Sequence, residues 1–468
     1  MSIAELCRAP LSEVAPLIED KSISPVELTV AMLDRIERID ASLHAYVHVA
    51  AEQASEAAKT AEARIISGDY LGPLHGIPLG IKDIFNTANM PTANGSPQFL
   101  GSTPDRNAFV VDRLNAAGAV LLGKQATAEF AFVAYNPAAN PPPVNPWNAD
   151  RWPGVSSGGS CVAVAASLCF GSFGTDTGGS IRYPSAANGI VGMKPTFGRI
   201  SRRGVYPFSE TLDHVGPLAR SVRDVALLYQ VIAAYDPEDP FCVDVPSADV
   251  FSTLDGGVKG LRMGVDTAYY EAFGEPEAVE ATMRTVGKLE EAGIEIVPLN
   301  IREIAEVCHH WLTVGGIEAL MHHGREQFKE RAELYGRNVR ELLEGGMQVT
   351  ADDLARAGAT RRRTTSILDA AFDTVDFLIL PGMSSSAPPI SVLAAEPEVP
   401  PEAIATMLAF SAPFNFSGHP TLSIPNAFDS EGMPLGVQLV GRPFDEAGLL
   451  KVGYALEQTV PPFEYPKP

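Results

Sequence analysis

Three short segments of this sequence carry lysine and serine side chains in settings where they could act as a base and as nucleophiles. The segments are GIKDIF at 80–85, GVSSGGS at 154–160 and GTDTGGSIR at 174–182. Lys82 follows an apolar run, so we expect it to be buried, and burial lowers the pKa of a lysine. A neutral lysine can take a proton from a hydroxyl group. The alternative is that Lys82 pairs with Asp83 or with another carboxylate, although Asp83 is awkwardly placed because neighbours on a strand face opposite sides.

The serines admit a catalytic and a purely structural interpretation. Ser180 follows two glycines, which permit a loop in which successive backbone N–H groups converge and could stabilise an oxyanion. These predicted donors are Thr177, Gly178, Gly179 and Ser180. The same loop also fits an anion-binding turn without chemistry, and Ser156 and Ser157 fit a turn or a helix cap. Only in combination do the three segments favour a serine nucleophile with a lysine base.

Two other motifs suggest different chemistry. GAVLLGKQ at 118–125 approaches the spacing of a phosphate-binding loop, but it lacks the final Ser or Thr and its apolar centre predicts a buried strand. Gly154 to Gly158 satisfies G-x-S-x-G, the nucleophile elbow, with His419 as the available histidine. The elbow requires a strand before the serine, and prolines and polar residues stand there instead.

The remaining histidines and the cysteines indicate no metal site or redox motif. His309–His310 and His322–His323 are adjacent pairs, and neighbours on a helix point about 100° apart, so we expect solvated helix faces. The five cysteines are scattered without CxxC spacing, which favours reduced thiols in a cytoplasmic protein.

Length and charge exclude several classes of protein. The 468 residues carry 35 Lys and Arg against 57 Asp and Glu, a net charge of −22. This balance disfavours binding to nucleic acid or to an anionic membrane surface. The N-terminus does not resemble a secretory signal, and no apolar stretch approaches the length of a membrane span.

Alternating helical and extended patterns predict the fold. SPVELTVAMLDRIERID begins with Ser24 as a helix cap and Glu27 as the second half of a capping box. Residues 261–297 read as a strand–helix–strand unit, VDFLILPGM at 375–383 as a buried strand, and LSIPNAF with LGVQLVG as a strand pair. We therefore predict one large α/β domain with a central sheet, mixed or parallel, covered by helices on both faces.

The ordered set of motifs resembles the amidase signature family of serine hydrolases. It runs from GPLHGIPLGIKD through NPWN, SSGGS and GTDTGGSIRYPSAANGIVGMKPT to GRIS, and returns more weakly at FNFSGHPTLSIP. The resemblance implies a Ser–cis-Ser–Lys triad without metal or cofactor, with Ser180 as nucleophile, Ser156 as bridging serine and Lys82 as base. It implies four supporting residues, namely Ser157, Thr175, Asp176 and Arg182. The chain has Val155 where the family usually has glycine before the bridging serine.

The resemblance and the loop composition also predict a division of the chain and a substrate class. We expect an N-terminal helical segment at 1–70, a catalytic core at 71–225 and a variable pocket half at 226–468. The segments at 130–143 and 311–321 are apolar and aromatic, which favours an uncharged hydrophobic or aryl amide, with carbamates and esters as alternatives. Thr406 to Pro420 has no carboxylate to hold glutamine, which argues against a tRNA-linked role. A homodimer and a catalytically silent scaffold stay open.

Overall fold

Two sheets organise the chain. The computed structural model describes residues 2–246, 249–391, 401–460 and 463–466. The described strands are β1 (Tyr46–Val49), β2 (Pro78–Lys82), β3 (Val120–Gln125), β4 (Gly171–Asp176), β5 (Val191–Lys194), β6 (His214–Ala219), β7 (Arg262–Val265), β8 (Glu295–Pro298), β9 (Phe377–Pro381), β10 (Thr421–Phe428) and β11 (Pro434–Val440). Eight strands form one sheet in the order β4-β6-β5-β10-β11-β9-β7-β8, and three form a small sheet in the order β1-β3-β2.

The large sheet is mixed. Its first five junctions, from β4–β6 through β11–β9, are antiparallel, whereas β9–β7 and β7–β8 are parallel. The parallel pair β7–β8 is the predicted strand–helix–strand unit, and the antiparallel pair β10–β11 is the predicted strand pair. The sequence therefore predicted these local pairings correctly.

Helices surround the sheets. The described helices are α1 (Ile3–Leu6), α2 (Leu11–Glu19), α3 (Pro25–Leu43), α4 (Ala51–Ile66), α5 (Phe109–Ala116), α6 (Gly158–Ala165), α7 (Arg182–Asn188), α8 (Val222–Ile232), α9 (Phe251–Leu254), α10 (Thr267–Phe273), α11 (Pro276–Glu291), α12 (Trp311–His323), α13 (Arg325–Arg331), α14 (Arg337–Gln348), α15 (Ala351–Phe372), α16 (Pro401–Leu408), α17 (Ala412–Ser417) and α18 (Glu446–Glu457). Short 3₁₀ segments occur at Pro97–Phe99, Glu129–Ala131, Arg302–His310 and Ala332–Leu334.

Both faces of the large sheet are covered, as predicted. On β10, Leu422 and Ile424 lie against Gly453 of α18, while the alternate residue Ser423 donates to the backbone carbonyl of Arg182 in α7. On β11, Gly436 lies against Ala186 of α7, and the adjacent Leu435 packs in a cluster with Ala278 and Ala281 of α11. Successive strand residues point to opposite faces, so these contacts place helices on each side.

Some local expectations need correction. Ser24 caps α3 by accepting hydrogen bonds from the N–H groups of Val26 and Glu27, but its hydroxyl donates to Glu62 and no reciprocal capping box forms. The predicted helical N-terminal segment also contributes strand β1, which pairs with β3. The division of the chain at residues 70 and 225 stays a prediction.

Two hydrophobic clusters make up most of the interior. The larger one joins the sheets to the flanking helices. The smaller one gathers aromatic and aliphatic side chains from α12, α14 and the loop around residue 130. None of the five cysteines, all of which lie in the described residues, forms a disulfide. No helix in the described ranges is long and apolar enough to cross a membrane.

Candidate active site

Lys82 ends strand β2 and is completely buried. Its Nζ donates hydrogen bonds to Oγ of Ser156 and to Oγ1 of Thr175, each at 2.7 Å. Burial lowers the pKa of Lys82 to about 7, although the nearby carboxylates of Asp213 and Asp176 favour the charged form. Near neutral pH a large share of this lysine is therefore the uncharged amine, beside a hydroxyl whose proton it can accept.

Asp83 does not neutralise Lys82. Its side chain pairs instead with Lys124 of β3, with 3.2 Å between Oδ1 and Nζ, and both groups are buried. This agrees with the expectation that neighbours in an extended segment face opposite sides. It also removes the phosphate-loop interpretation, since Lys124 stands in a buried strand. In the described part of the chain, no carboxylate forms an ion pair with Lys82, whose Nζ contacts hydroxyl groups.

The turn before α6 brings Ser156 to the lysine. The Val155–Ser156 peptide bond is cis, as the resemblance implies, and both Ser156 and Ser157 are buried. The Ser157 hydroxyl donates to the carbonyl of Thr175 at 3.2 Å and accepts from its N–H at 3.3 Å. These two bonds attach the turn to β4, and they hold Thr175 where its own hydroxyl meets Lys82.

Ser180 stands in the loop between β4 and α7. Every residue from 156 to 196 is buried except Ser180, which is partly exposed. Ser180 thus has contact with solvent, whereas Ser156 and Ser157 lie in the interior. Of the seven serines from 156 to 196, Ser180 is the one that is not buried.

The carboxylate of Asp176, at the end of β4, holds the loop around Ser180 through hydrogen bonds. Asp176 accepts hydrogen bonds from the N–H groups of Gly179 at 2.8 Å and Ile181 at 3.1 Å. The Gly179 N–H, expected to be an oxyanion donor, is thus engaged within the loop, which corrects that part of the prediction. For the N–H groups of Thr177, Gly178 and Ser180, no acceptor occurs among the described residues.

Comparisons with known proteins show the family of this chain. The sequence model of the Amidase family matches residues 27–450, most of the chain. The chain belongs to the amidase family. As a member of that family, it is a hydrolase that acts on amide bonds.

Three similar proteins illustrate the range of this family. The amidase is 38% identical to AmiD of Mycobacterium tuberculosis over 97% of this chain and 94% of the relative. It is 36% identical to a glutamyl-tRNA(Gln) amidotransferase subunit of Moorella thermoacetica, over 97% of each chain. The solved structure of 6-aminohexanoate cyclic dimer hydrolase complexed with substrate is 28% identical, with a TM-score of 0.86 over 98% of each chain.

A buried ion pair supports the serine loop of this amidase. Arg182 contacts Asp176 through Nε at 3.0 Å and through a terminal nitrogen at 2.9 Å, and both side chains are fully buried. Burial alone would raise the pKa of Asp176, but the charge of Arg182 and hydrogen bonds from Arg182 and Asn415 hold it well below its usual range. Asp176 therefore stays an anion and keeps accepting the N–H groups of the loop.

Several supporting residues come from distant parts of the chain and were not predicted. Asn415 bonds to Arg182 at 2.6 Å and donates to the Asp176 carboxylate at 2.8 Å. Ser411 and Gln438 accept hydrogen bonds from Arg182 through a backbone carbonyl and a side-chain amide oxygen. Asn415 opens the N-x-x-G-x-P pattern at 415–420, so the motif could have identified it. Ser411 and Gln438 carry no comparable signal.

The two predicted pocket segments meet beside the loop of Ser180. Phe130 and Phe132 from the first segment and Trp311 and Val314 from the second lie in the same hydrophobic cluster. The rings of Phe132 and Trp311 are stacked with centroids 6.0 Å apart, and the Trp311 Nε1 donates to the Thr177 carbonyl at 3.0 Å. An aromatic wall therefore adjoins the proposed oxyanion loop.

The nucleophile-elbow alternative does not fit. The residues before Ser156 form an irregular loop, and the side-chain partner of Ser156 is Lys82. His419 stacks on Phe372 with centroids 5.2 Å apart, and burial lowers its pKa to about 4. A carboxylate oxygen of Asp369 lies 3.6 Å from its Nε2, but the ring is neutral near pH 7. His419 thus has neither the position nor the partner of a base for Ser156.

The other histidines do not assemble a metal site. Within the described ranges, no group of three or more potential ligands could hold a metal ion. The expectation of solvated helix faces is wrong for His323, whose ring packs against Phe130, Tyr206 and Tyr335. Burial lowers the pKa of His323 to about 4, so it belongs to the aromatic cluster as a neutral ring.

Proposed function

We propose that this amidase hydrolyses uncharged, hydrophobic amides by acyl transfer to Ser180, with Ser156 relaying protons to Lys82. The observation that carries the proposal is the 2.7 Å contact between Lys82 Nζ and Ser156 Oγ, in a buried setting where the pKa of Lys82 falls to about 7. A protonated lysine that is paired with a carboxylate could not accept a proton and would only stabilise the fold. An amine that is partly neutral beside a serine hydroxyl supplies a base.

Acylation begins when the Ser180 Oγ attacks the amide carbonyl carbon. The proton of Ser180 passes to Ser156, and the proton of Ser156 passes to the lone pair of Lys82. The N–H groups of Thr177, Gly178 and Ser180 stabilise the negative oxygen of the tetrahedral intermediate. The C–N bond then breaks, the leaving nitrogen takes the proton back through Ser156, and Ser180 remains as an ester.

Deacylation uses the same relay, with water in place of Ser180 as the nucleophile. Water gives a proton through Ser156 to Lys82 and attacks the ester carbonyl. Collapse of the second tetrahedral intermediate returns a proton to Ser180 and releases the carboxylic acid. Hydrogen bonds of Thr175 and Ser157 hold Lys82 and Ser156 in position relative to each other. The ion pair of Asp176 with Arg182 supports the loop of Ser180.

The substrate class is proposed from the wall of the site. The aromatic cluster beside the loop favours an apolar acyl or aryl group. The similarity to a cyclic dimer hydrolase is consistent with an uncharged amide. The similarity to an amidotransferase makes glutamine the competing substrate, against which stands the absence of a carboxylate from Thr406 to Pro420.

A fluorophosphonate probe and a substrate panel test this function. Wild-type protein should be labelled at Ser180 and should cleave aryl amides faster than aliphatic amides, carbamates, esters or glutamine. Ser180→Ala should abolish labelling, and Lys82→Ala and Ser156→Ala should lower its rate by at least about 10²-fold, the range of general-base catalysis.

Two controls separate the proposal from its rivals. Ser160 lies in the first turn of α6, four residues after Ser156, and its hydroxyl has no hydrogen-bond partner within the described residues, so Ser160→Ala should label like wild type. His419→Ala should also be labelled at the wild-type rate. Labelling that persists in Ser180→Ala would contradict the nucleophile, preference for glutamine would contradict the substrate class, and a protein without labelling or hydrolysis would be a scaffold.

A further inference from the structure

Three consecutive carbonyl groups of the loop before Ser180 each accept a hydrogen bond from a remote side chain. The Asp176 carbonyl accepts from Asn415 Nδ2 at 3.0 Å, and the Thr177 carbonyl accepts from Trp311 Nε1 at 3.0 Å. The Gly178 carbonyl accepts from the hydroxyl of Ser411. Each peptide plane of the loop is therefore oriented from outside the loop.

The orientation of each carbonyl fixes the direction of the next N–H. In a planar trans peptide, C=O and N–H point in opposite directions, and in the described chain the cis bond is at Val155–Ser156 rather than in this loop. The Ser411 contact thus turns the Gly179 N–H away from Ser411, and it meets Asp176. The Trp311 contact turns the Gly178 N–H away from the indole, and no described acceptor takes it.

The indole is also pressed against Gly178 itself. A Cβ added at Gly178 would lie 2.6 Å from Trp311 Nε1 and 2.8 Å from Cε2. Gly178 does not have a positive φ, so close approach, not backbone conformation, requires glycine here. Phe132 and Phe208 pack on the other parts of the ring, with centroids 6.0 and 5.8 Å from Trp311. Trp311 therefore has little freedom to move away from the loop.

We propose that Trp311 is a positioning residue that aims the Gly178 N–H at the oxyanion. This inference rests on the proposed acyl transfer to Ser180. The indole N–H fixes the 177–178 peptide plane before substrate arrives, so the donor needs no reorganisation when charge develops. Such preorganisation strengthens transition-state binding and leaves ground-state binding unchanged.

Removing only the indole N–H tests the proposal. Trp311→Phe keeps an aromatic ring and loses the donor, and 3-benzothienylalanine at position 311 keeps the indole shape with sulfur in place of N–H. Both should lower kcat and the rate of Ser180 labelling by roughly 10- to 100-fold, less than the roughly 10²–10³-fold cost of losing an oxyanion donor itself. KM should change little. Affinity for a trifluoromethyl ketone, which forms a tetrahedral adduct, should fall by the same factor as kcat/KM.

Trp147→Phe is the matched control. The Trp147 indole also donates to a backbone carbonyl, that of Asn188, at 2.9 Å. This carbonyl lies outside the loop of Ser180. This variant should hydrolyse substrate, be labelled at Ser180 and bind the ketone like wild type. Thermal unfolding would show that each variant is folded.

Three outcomes would overturn the inference. If both changes at position 311 leave labelling and ketone affinity at wild-type levels, the indole N–H does not position the donor. If they raise KM alone, Trp311 only lines the pocket. If wild-type protein is not labelled at Ser180, the proposed function is wrong, and this inference, which rests on it, is wrong as well.

Discussion

The buried pair of Asp176 and Arg182 shows how much of the site depends on groups that never touch the substrate. Asp176 accepts two loop N–H groups and two contacts from Arg182, all without solvent. Removing one partner of a buried ion pair leaves an uncompensated charge, which costs about 3–5 kcal/mol. We therefore predict that Asp176→Asn lowers the free energy of unfolding by this amount, measured by urea denaturation, and slows Ser180 labelling.

Glu56→Gln provides the comparison with an exposed ion pair. Glu56 and Lys59 are 2.6 Å apart, but their side chains are 73% and 60% exposed, so solvent screens them. This variant should unfold at the same urea concentration as wild type. Equal stability of Asp176→Asn and Glu56→Gln would show that the loop does not depend on the buried charge.

The roles of single residues could be predicted where the neighbouring sequence indicates a reactive side chain. Lys82 follows an apolar strand, and Ser156 and Ser180 stand in glycine-rich turns. Trp311 and Asn415 were not assigned roles in the loop, because their contacts join segments more than 130 residues apart. The hydrogen bond from the Gly179 N–H to Asp176 also could not be predicted, because the sequence does not determine the orientation of a peptide plane in a loop.

At the scale of elements, the close approach of α6 to Ala126, the residue directly after β3, positions the serine turn. A Cβ added at Gly159 would lie 2.5 Å from the backbone nitrogen and 2.6 Å from the carbonyl oxygen of Ala126. Backbone cannot yield as a flexible side chain can, so α6 would have to move and carry Ser156 with it. We predict that Gly159→Ala lowers the free energy of unfolding by about 1–3 kcal/mol and reduces Ser180 labelling.

Gly287→Ala is the matched change in a helix without such a neighbour. A Cβ at Gly287 in α11 would meet nothing within 4 Å. Alanine is the better helix former by about 0.8–1 kcal/mol, so this variant should be more stable than wild type and fully active. If both glycine variants gained stability in thermal unfolding, the packing of α6 on Ala126 would not constrain the turn.

Elements with strong periodicity were predicted well, and their arrangement was not. The helix–strand unit at 261–297 and the strands β9, β10 and β11 follow directly from apolar patterning. Strand order in the large sheet depends on long-range pairing: β5 joins β10 although more than 220 residues separate them. Local propensity contains no information on such a partner.

On the scale of the whole molecule, the site depends on the junction between the two sheets. Lys82 ends a strand of the small sheet, whereas Thr175 belongs to an edge strand of the large one, and Ser156 lies in the turn between them in sequence. The family resemblance implied that Lys82, Ser156 and Thr175 belong to one site, but the sequence patterns predicted a single central sheet and not this junction of two sheets. Burial of the junction is what lowers the pKa of Lys82.

The pH dependence of Ser180 acylation tests most directly whether neutral Lys82 is the base. Because the pKa of Lys82 is about 7, the rate of fluorophosphonate labelling should rise about tenfold per pH unit below pH 7 and level off above it. The inflection should be absent from the residual rate of Lys82→Ala. An inflection only near pH 10, the ordinary range of a lysine, or a profile unchanged in Lys82→Ala, would contradict the mechanism.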